Sequence, residues 1–156
     1  ITPSTIEARA RRVARRHPLA LIVTDYIGLI NPGTRKENRD KELGYISAKL
    51  KEMAAIAPVL CAAQLSREVE KRADKHPVMS DLRDSGNLEQ DADTVSFLYR
   101  DEYYNSATVD PCAADLETVK NRHGRTGKQT LYFDKTITKF SNGVVRNIDA
   151  GVFNGR

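Results

Sequence analysis

The sequence predicts an α/β fold: a mainly parallel sheet flanked by helices, with an antiparallel β-hairpin towards the C-terminal end. Three observations carry that prediction. The first is Leu19-Ala-Leu-Ile-Val-Thr-Asp25-Tyr26, an apolar run bounded by Pro18 before and by Gly28 and Asn31-Pro32-Gly33 after. A continuous apolar run between breakers reads as a strand buried on both faces, the habit of parallel sheets. The second is a similar run, Pro58 to Gln64, separated from the first by Leu43, Ile46, Leu50, Met53 and Ala54 at helical spacing. Strand, apolar-faced helix and strand make a unit with parallel strands and a right-handed crossover. The third is a pair of alternating segments, Asp115–Lys120 and Lys128–Phe133, joined by Asn121-Arg-His-Gly-Arg-Thr-Gly127, which is a hairpin signal.

With 156 residues, 40% of them hydrophobic, the chain is one domain in length and can bury a core. No run reaches membrane-spanning length, and the arginine-rich start lacks the apolar stretch of a secretory signal. Cys61 and Cys112, with three scattered histidines, make neither a disulfide framework nor a metal-ligand spacing. A cytoplasmic location is expected. The first residue is Ile1 rather than Met, so a fragment or processed product is expected. The net charge of +4 resides in the first segment, where Arg9, Arg11, Arg12, Arg15 and Arg16 face only Glu7. Beyond it basic and acidic groups balance, so a polyanion must be met by local clusters and not by the overall field.

Taken in order, Ser4-Thr-Ile-Glu7 has the form of a capping box, and Pro3 suits a helix entry. A helix is predicted from Ser4 to Arg16, with Ile6, Ala10, Val13 and Ala14 on one face and the arginines as a solvated face. In the strand that follows, Asp25 falls at the carboxyl end, where parallel sheets bind their ligands. An acidic group there either caps a turn or orders the Mg²⁺ shell beside a nucleoside triphosphate. Residues 31–40 lack apolar periodicity and read as an exposed, mobile, basic loop, with Asp40 capping a helix that runs to about Ala57. The second strand ends in Gln64. Asp25 and Gln64 then share one sheet edge and form a candidate site.

The polar stretch from Leu65 to Asp93 is too long for an idle connection. Within it, Ser85-Gly86 permits a tight backbone whose N–H groups can grip a phosphate. Thr94–Tyr99 is a third strand, and Arg100 to Ala114, with Tyr103-Tyr104, is assigned to a loop. The hairpin tip carries Lys120, Arg122, His123, Arg125 and Lys128. Such a tip is either solubility decoration or a means of delivering a guanidinium to a phosphate on another subunit. Ile137–Phe140 can add an edge strand, and the tail from Ser141 onward reads as loose.

Several of these segments together resemble the RecA-like ATPase domain of DnaB-type replicative hexameric DNA helicases. The resemblance lies in Leu21–Tyr26, Ala63-Gln-Leu-Ser-Arg67, Glu70-Lys-Arg-Ala-Asp74 before Pro77, and Ser80-Asp-Leu-Arg-Asp-Ser-Gly86. It continues through Leu88-Glu-Gln-Asp-Ala-Asp93, Phe97-Leu-Tyr-Arg-Asp-Glu-Tyr-Tyr104 and Lys120-Asn-Arg122 with Gly124 and Gly127. Residues 19–140 are thus covered in order. The resemblance implies a partial RecA-like P-loop NTPase core, with ATP and Mg²⁺ as cofactors. It implies that Asp25 orders Mg²⁺ through water and that Gln64 senses the γ-phosphate. It further implies that Arg83, Asp84 and Gly86 contact single-stranded DNA. Lys120 and Arg122 would enter the neighbouring subunit's ATP site, Arg122 as an arginine finger. The partners implied are single-stranded DNA, identical subunits in a hexamer, a primase and a helicase loader, with travel 5′ to 3′ and no membrane.

Two departures qualify the resemblance. Asp84 stands where the family has Glu, and no G-x-x-x-x-G-K-[ST] occurs, since Gly127-Lys128 lacks the upstream Gly and the hydroxyl residue. The family's upstream catalytic Glu is missing as well. Residues 1–156 are therefore expected to be the C-terminal portion of one motor domain, ATPase-inactive alone and at most a weak oligomer. The alternatives are a RecA-type recombinase or circadian-clock-type ATPase, and a non-enzymatic assembly or single-strand-binding module.

Overall fold

The computed structural model describes residues 1–34, 37–85 and 87–141, of which residues 83–85 are described by their backbone alone. The chain divides into two compact units, Ile1–Asp93 and Thr94–Arg156.

The first unit opens with helix α1, Pro3–Ala14. Its cap is Thr2 and not Ser4: the Thr2 hydroxyl accepts from the Thr5 N–H at 3.3 Å, and Pro3 fills a first-turn position that needs no donor. Glu7 does not reach back to close a capping box. It pairs with Arg11 one turn on, at 2.8 Å. Only Pro3 and Ala10 of this helix are buried, and Val13 is exposed, so the apolar face is narrower than its periodicity suggests.

Strands β1 (Ile22–Thr24) and β2 (Val59–Cys61) pair in parallel, Ile22 opposite Val59 and Thr24 opposite Cys61. Between them runs helix α2, Arg39–Met53. Its cap is Asn38, whose side chain accepts from the Lys41 N–H at 2.9 Å; Asp40, the predicted cap, lies inside the first turn. Leu43, Ile46, Leu50 and Met53 of α2 make the core with Ile27 and Ile30, as their spacing predicts. Ile22, Val59 and Cys61 pack against that core. The opposite strand face is not covered: Val23 is 61% and Leu60 59% exposed. The expected burial on both faces therefore holds on one face only, because α2 packs against one side of the pair.

The polar stretch after β2 is ordered by 3₁₀ turns over Arg67–Lys71 and Met79–Ser85, followed by a one-turn helix α3, Leu88–Asp91. Polar bonds tie α3 to α2. The buried Ser47 hydroxyl donates to Asp91 at 2.6 Å, and Lys51 pairs with Asp93.

The second unit is an antiparallel sheet of β3 (Thr94–Tyr99), β4 (Ala113–Asn121), β5 (Gly127–Asp134) and β6 (Lys139–Ser141), in that order. The hairpin forms as predicted and is longer at both ends. Residues 100–114 are not all loop. Helix α4 spans Asp101–Tyr104, and β4 already begins at Ala113. Phe97, Ala114 and Phe133 are buried, with the Arg100 guanidinium 4.2 Å above the Phe133 ring. The α/β class stands, while pairing among the described strands is more antiparallel than expected, because β3 takes β4 as its partner. The predicted tail beyond Ser141 lies outside the described residues, as do Arg35 and Lys36 of the basic loop.

Candidate functional site

The parallel register brings the ends of β1 and β2 together. The Ala62 N–H donates to the Thr24 carbonyl and the Ile27 N–H to the Ala62 carbonyl, both at 3.0 Å, so the pairing persists past both strands. Asp25 is the residue directly after β1, and Gln64 comes three after β2; both are exposed at the carboxyl edge of the pair. This is the edge predicted for them. Behind it, Gly28 lets the chain turn beneath Tyr26, since a Cβ there would meet the ring at 2.4 Å. Burial pushes the Cys61 thiol above its ordinary pKa, which keeps it protonated and makes it a poor nucleophile.

Downstream of Gln64, the Ser66 N–H donates to the Asp81 carbonyl at 2.9 Å. Asp81 is 3% exposed and receives Arg72 through two bonds of 2.9 Å each. Arg83 and Asp84 follow in the same 3₁₀ turn, Met79–Ser85. Their side chains, and Gly86 altogether, lie outside the described residues. Sequence reasoning missed the roles of Arg72 and Asp81. Nothing in a run of mixed charge marks one aspartate as buried; the only signal was its position between Val78 and Leu82.

In the second unit, Lys120 lies within β4 opposite Val95, and Arg122 is the first residue beyond that strand, exposed at the turn. The turn is held by Asn121, whose amide donates to the Arg125 carbonyl at 3.2 Å and accepts from the His123 N–H at 3.3 Å. Lys128 departs from the predicted cationic tip, because Asp115 on the facing strand pairs with it at 2.7 Å. Among the described residues there is no group of three or more His, Cys, Asp and Glu able to hold a metal directly. No helix among them is long and apolar enough to cross a membrane.

A strand–helix–strand parallel pair with a carboxylate and an amide at its carboxyl edge, followed by an antiparallel sheet, makes an α/β chain whose candidate ligand site lies beyond its strand ends. The class can be narrowed to a family. The family described as DnaB-like helicase C-terminal domain matches residues 1–142, and the chain belongs to it. The chain is 44% identical over 155 residues to the replicative DNA helicase DnaC of Bacillus subtilis (strain 168), covering 97% of this chain and 34% of that protein. It is 46% identical over 145 residues to the replicative DNA helicase DnaB of Geobacillus stearothermophilus, covering 91% and 32%. Among solved structures, one of an ATPase domain superposes with a TM-score of 0.86 at 37% identity, covering 90% of this chain and 51% of that one. A DnaB-like replicative helicase, solved in a study of its interactions with primase, gives 0.85 at 37%, covering 89% and 35%. The chain therefore spans about a third of the length of these helicase relatives.

Proposed function

We propose that this chain is the C-terminal portion of the motor domain of a replicative, ATP-dependent DNA helicase, residues 1–156 belonging to one such domain. In the full-length protein ATP sits between subunits of a homohexamer. One subunit supplies Asp25 and Gln64, and the next supplies Lys120 and Arg122. The observation that carries the reading is the shared edge of Asp25 and Gln64, reached through a parallel pair in a chain that matches the family over residues 1–142. An exposed carboxylate at a strand end suits a hydrated cation, which it would hold through water. Mg²⁺, when bound, neutralises charge on the phosphates. Gln64 reports the γ-phosphate, and the chain from Gln64 onward passes that report to Arg83, Asp84 and Gly86 on single-stranded DNA. Backbone contacts dominate such binding, which is then sequence-tolerant and salt-sensitive. Movement runs 5′ to 3′ in the cytoplasm, with a primase and a loader as partners. The portion alone hydrolyses no ATP.

The test is Arg122→Ala in the full-length protein. A finger acting in trans is worth roughly 10³–10⁵ in rate, so stimulated ATPase is lost while nucleotide binding stays nearly intact. Mixing this variant with subunits defective in the phosphate-binding loop restores activity at hybrid sites. No recovery in the mixture counts against the finger. Arg83→Ala weakens single-strand binding and spares DNA-free ATPase; an unchanged DNA affinity removes that role.

A further inference from the structure

Between Gln64 and Arg83 the chain makes a long polar excursion, yet its two ends are joined directly. Ser66, two residues past Gln64, donates its N–H to the carbonyl of Asp81, two residues before Arg83, at 2.9 Å. The Asp81 carboxylate is the most constrained group in the stretch. One oxygen accepts from Arg72 at 2.9 Å; the other accepts from Arg72 at 2.9 Å and from the Val78 N–H at 2.8 Å. Arg72 is held in turn, since its guanidinium also donates to the carbonyls of His76 at 2.7 Å and Asp74 at 3.3 Å. Its own carbonyl accepts from Lys75 at 2.6 Å. A two-pronged Arg–carboxylate contact fixes orientation as well as distance, and burying the carboxylate leaves it no alternative partner in water.

We propose that Arg72 and Asp81 form a clasp that makes the end of β2 and the start of the DNA-contacting turn move as one piece. They are positioning residues acting through Arg83. The inference rests on the reading that Gln64 faces nucleotide and Arg83 faces DNA. A shift at Gln64 would otherwise have to travel along the backbone of residues 65–82, where 3₁₀ turns and exposed side chains can absorb it. With Asp81 locked by Arg72, the Ser66 N–H acts on a carbonyl that cannot tilt independently. The nucleotide state then reaches Arg83 through one hydrogen bond and one ion pair.

The experiment compares single-strand affinity in the full-length protein, using a labelled oligo-dT with either a non-hydrolysable ATP analogue or ADP. In the unaltered protein the two affinities differ. In Arg72→Lys, which keeps the charge but loses the two-pronged contact, the ratio falls to within about twofold of unity while DNA-free ATPase holds; the melting temperature drops, and circular dichroism at the assay temperature shows the variant still folded. Ser66→Pro gives a second route that leaves the ion pair untouched. Ser66 has φ −60° and ψ 143°, both within proline's range, so the change deletes the N–H while keeping the backbone angles of residue 66. It uncouples as Arg72→Lys does, whereas Ser66→Ala, which keeps the N–H, does not. A wild-type ratio surviving in both Arg72→Lys and Ser66→Pro overturns the clasp alone. An unaltered protein whose DNA affinity ignores the nucleotide overturns the underlying reading, and the clasp with it.

Discussion

Leu50 and Leu60 offer a matched pair on which the packing of the first unit can be tested. Leu50, on the inner face of α2, is 4% exposed, while Leu60, at the centre of β2, is 59% exposed. Leu→Ala removes three carbons at either site, worth about 2.4 kcal/mol of transfer when fully buried at ~0.8 kcal/mol each. At Leu50 the surrounding Ile46, Met53 and Ile27 belong to one closed cluster, so a cavity remains and the cost rises towards ~4–5 kcal/mol. At Leu60 about two-fifths of the side chain is covered and no enclosed space is left, giving ~1 kcal/mol. Urea unfolding of the 156-residue chain, followed by far-UV circular dichroism, gives both numbers from the shift in midpoint at constant slope. Because the two changes are chemically identical, their difference isolates burial. A gap of less than ~1 kcal/mol refutes the one-sided packing of the strand pair. A Leu60→Ala cost above ~2 kcal/mol would mean that something covers this face in solution.

Three further outcomes follow from local geometry. Asn38→Ala removes the cap of α2 and lowers stability by ~1 kcal/mol in the same unfolding assay, while Asp40→Ala, inside the helix, costs less. Gly124→Ala brings a Cβ to 2.7 Å from the Asn121 amide and breaks the bonds holding the turn, at ~1–2 kcal/mol. The same change is nearly neutral in an Asn121→Ala background, and additive costs in that double-mutant cycle would exclude the contact. The third concerns acid. The His76 backbone N–H and ring lower the Asp74 pKa, Lys135 lowers that of Glu102, and the Thr136 hydroxyl lowers that of Asp134. Folded values below the unfolded ones mean that this stabilisation is complete above the ordinary carboxylate range near ~4 and is lost as pH falls through the lower folded values. Asp74→Asn, Glu102→Gln and Asp134→Asn together flatten the acid limb of a stability–pH curve; an unchanged limb removes the assignment.

The local pattern determined the α/β class, the apolar face of α2, the two apolar strands that precede Asp25 and Gln64, and the hairpin carrying Lys120 and Arg122, although β2 stops at Cys61, three residues short of the predicted end. These features depend on periodicity and breakers within a dozen residues, which the chain displays directly. Even the motif order, read along residues 19–140, pointed to the family now matched over residues 1–142. Caps were less legible. Ser4 and Asp40 are as good cap types as Thr2 and Asn38, and the choice depends on where the first turn packs.

What tertiary structure alone decided was the partnering of charges and the coverage of surfaces. Lys128 looked like part of a basic tip until the strand register set it opposite Glu117 and diagonally within 2.7 Å of Asp115. Val23 and Leu60 read as core from hydrophobicity, but coverage depends on which face α2 takes. Arg72 and Asp81, nine residues apart in a run of mixed charge, meet only because the chain doubles back through Asp74 and His76. Hydrophobic periodicity is written into neighbouring residues, whereas the partner of a charged side chain is set by the path of the whole segment.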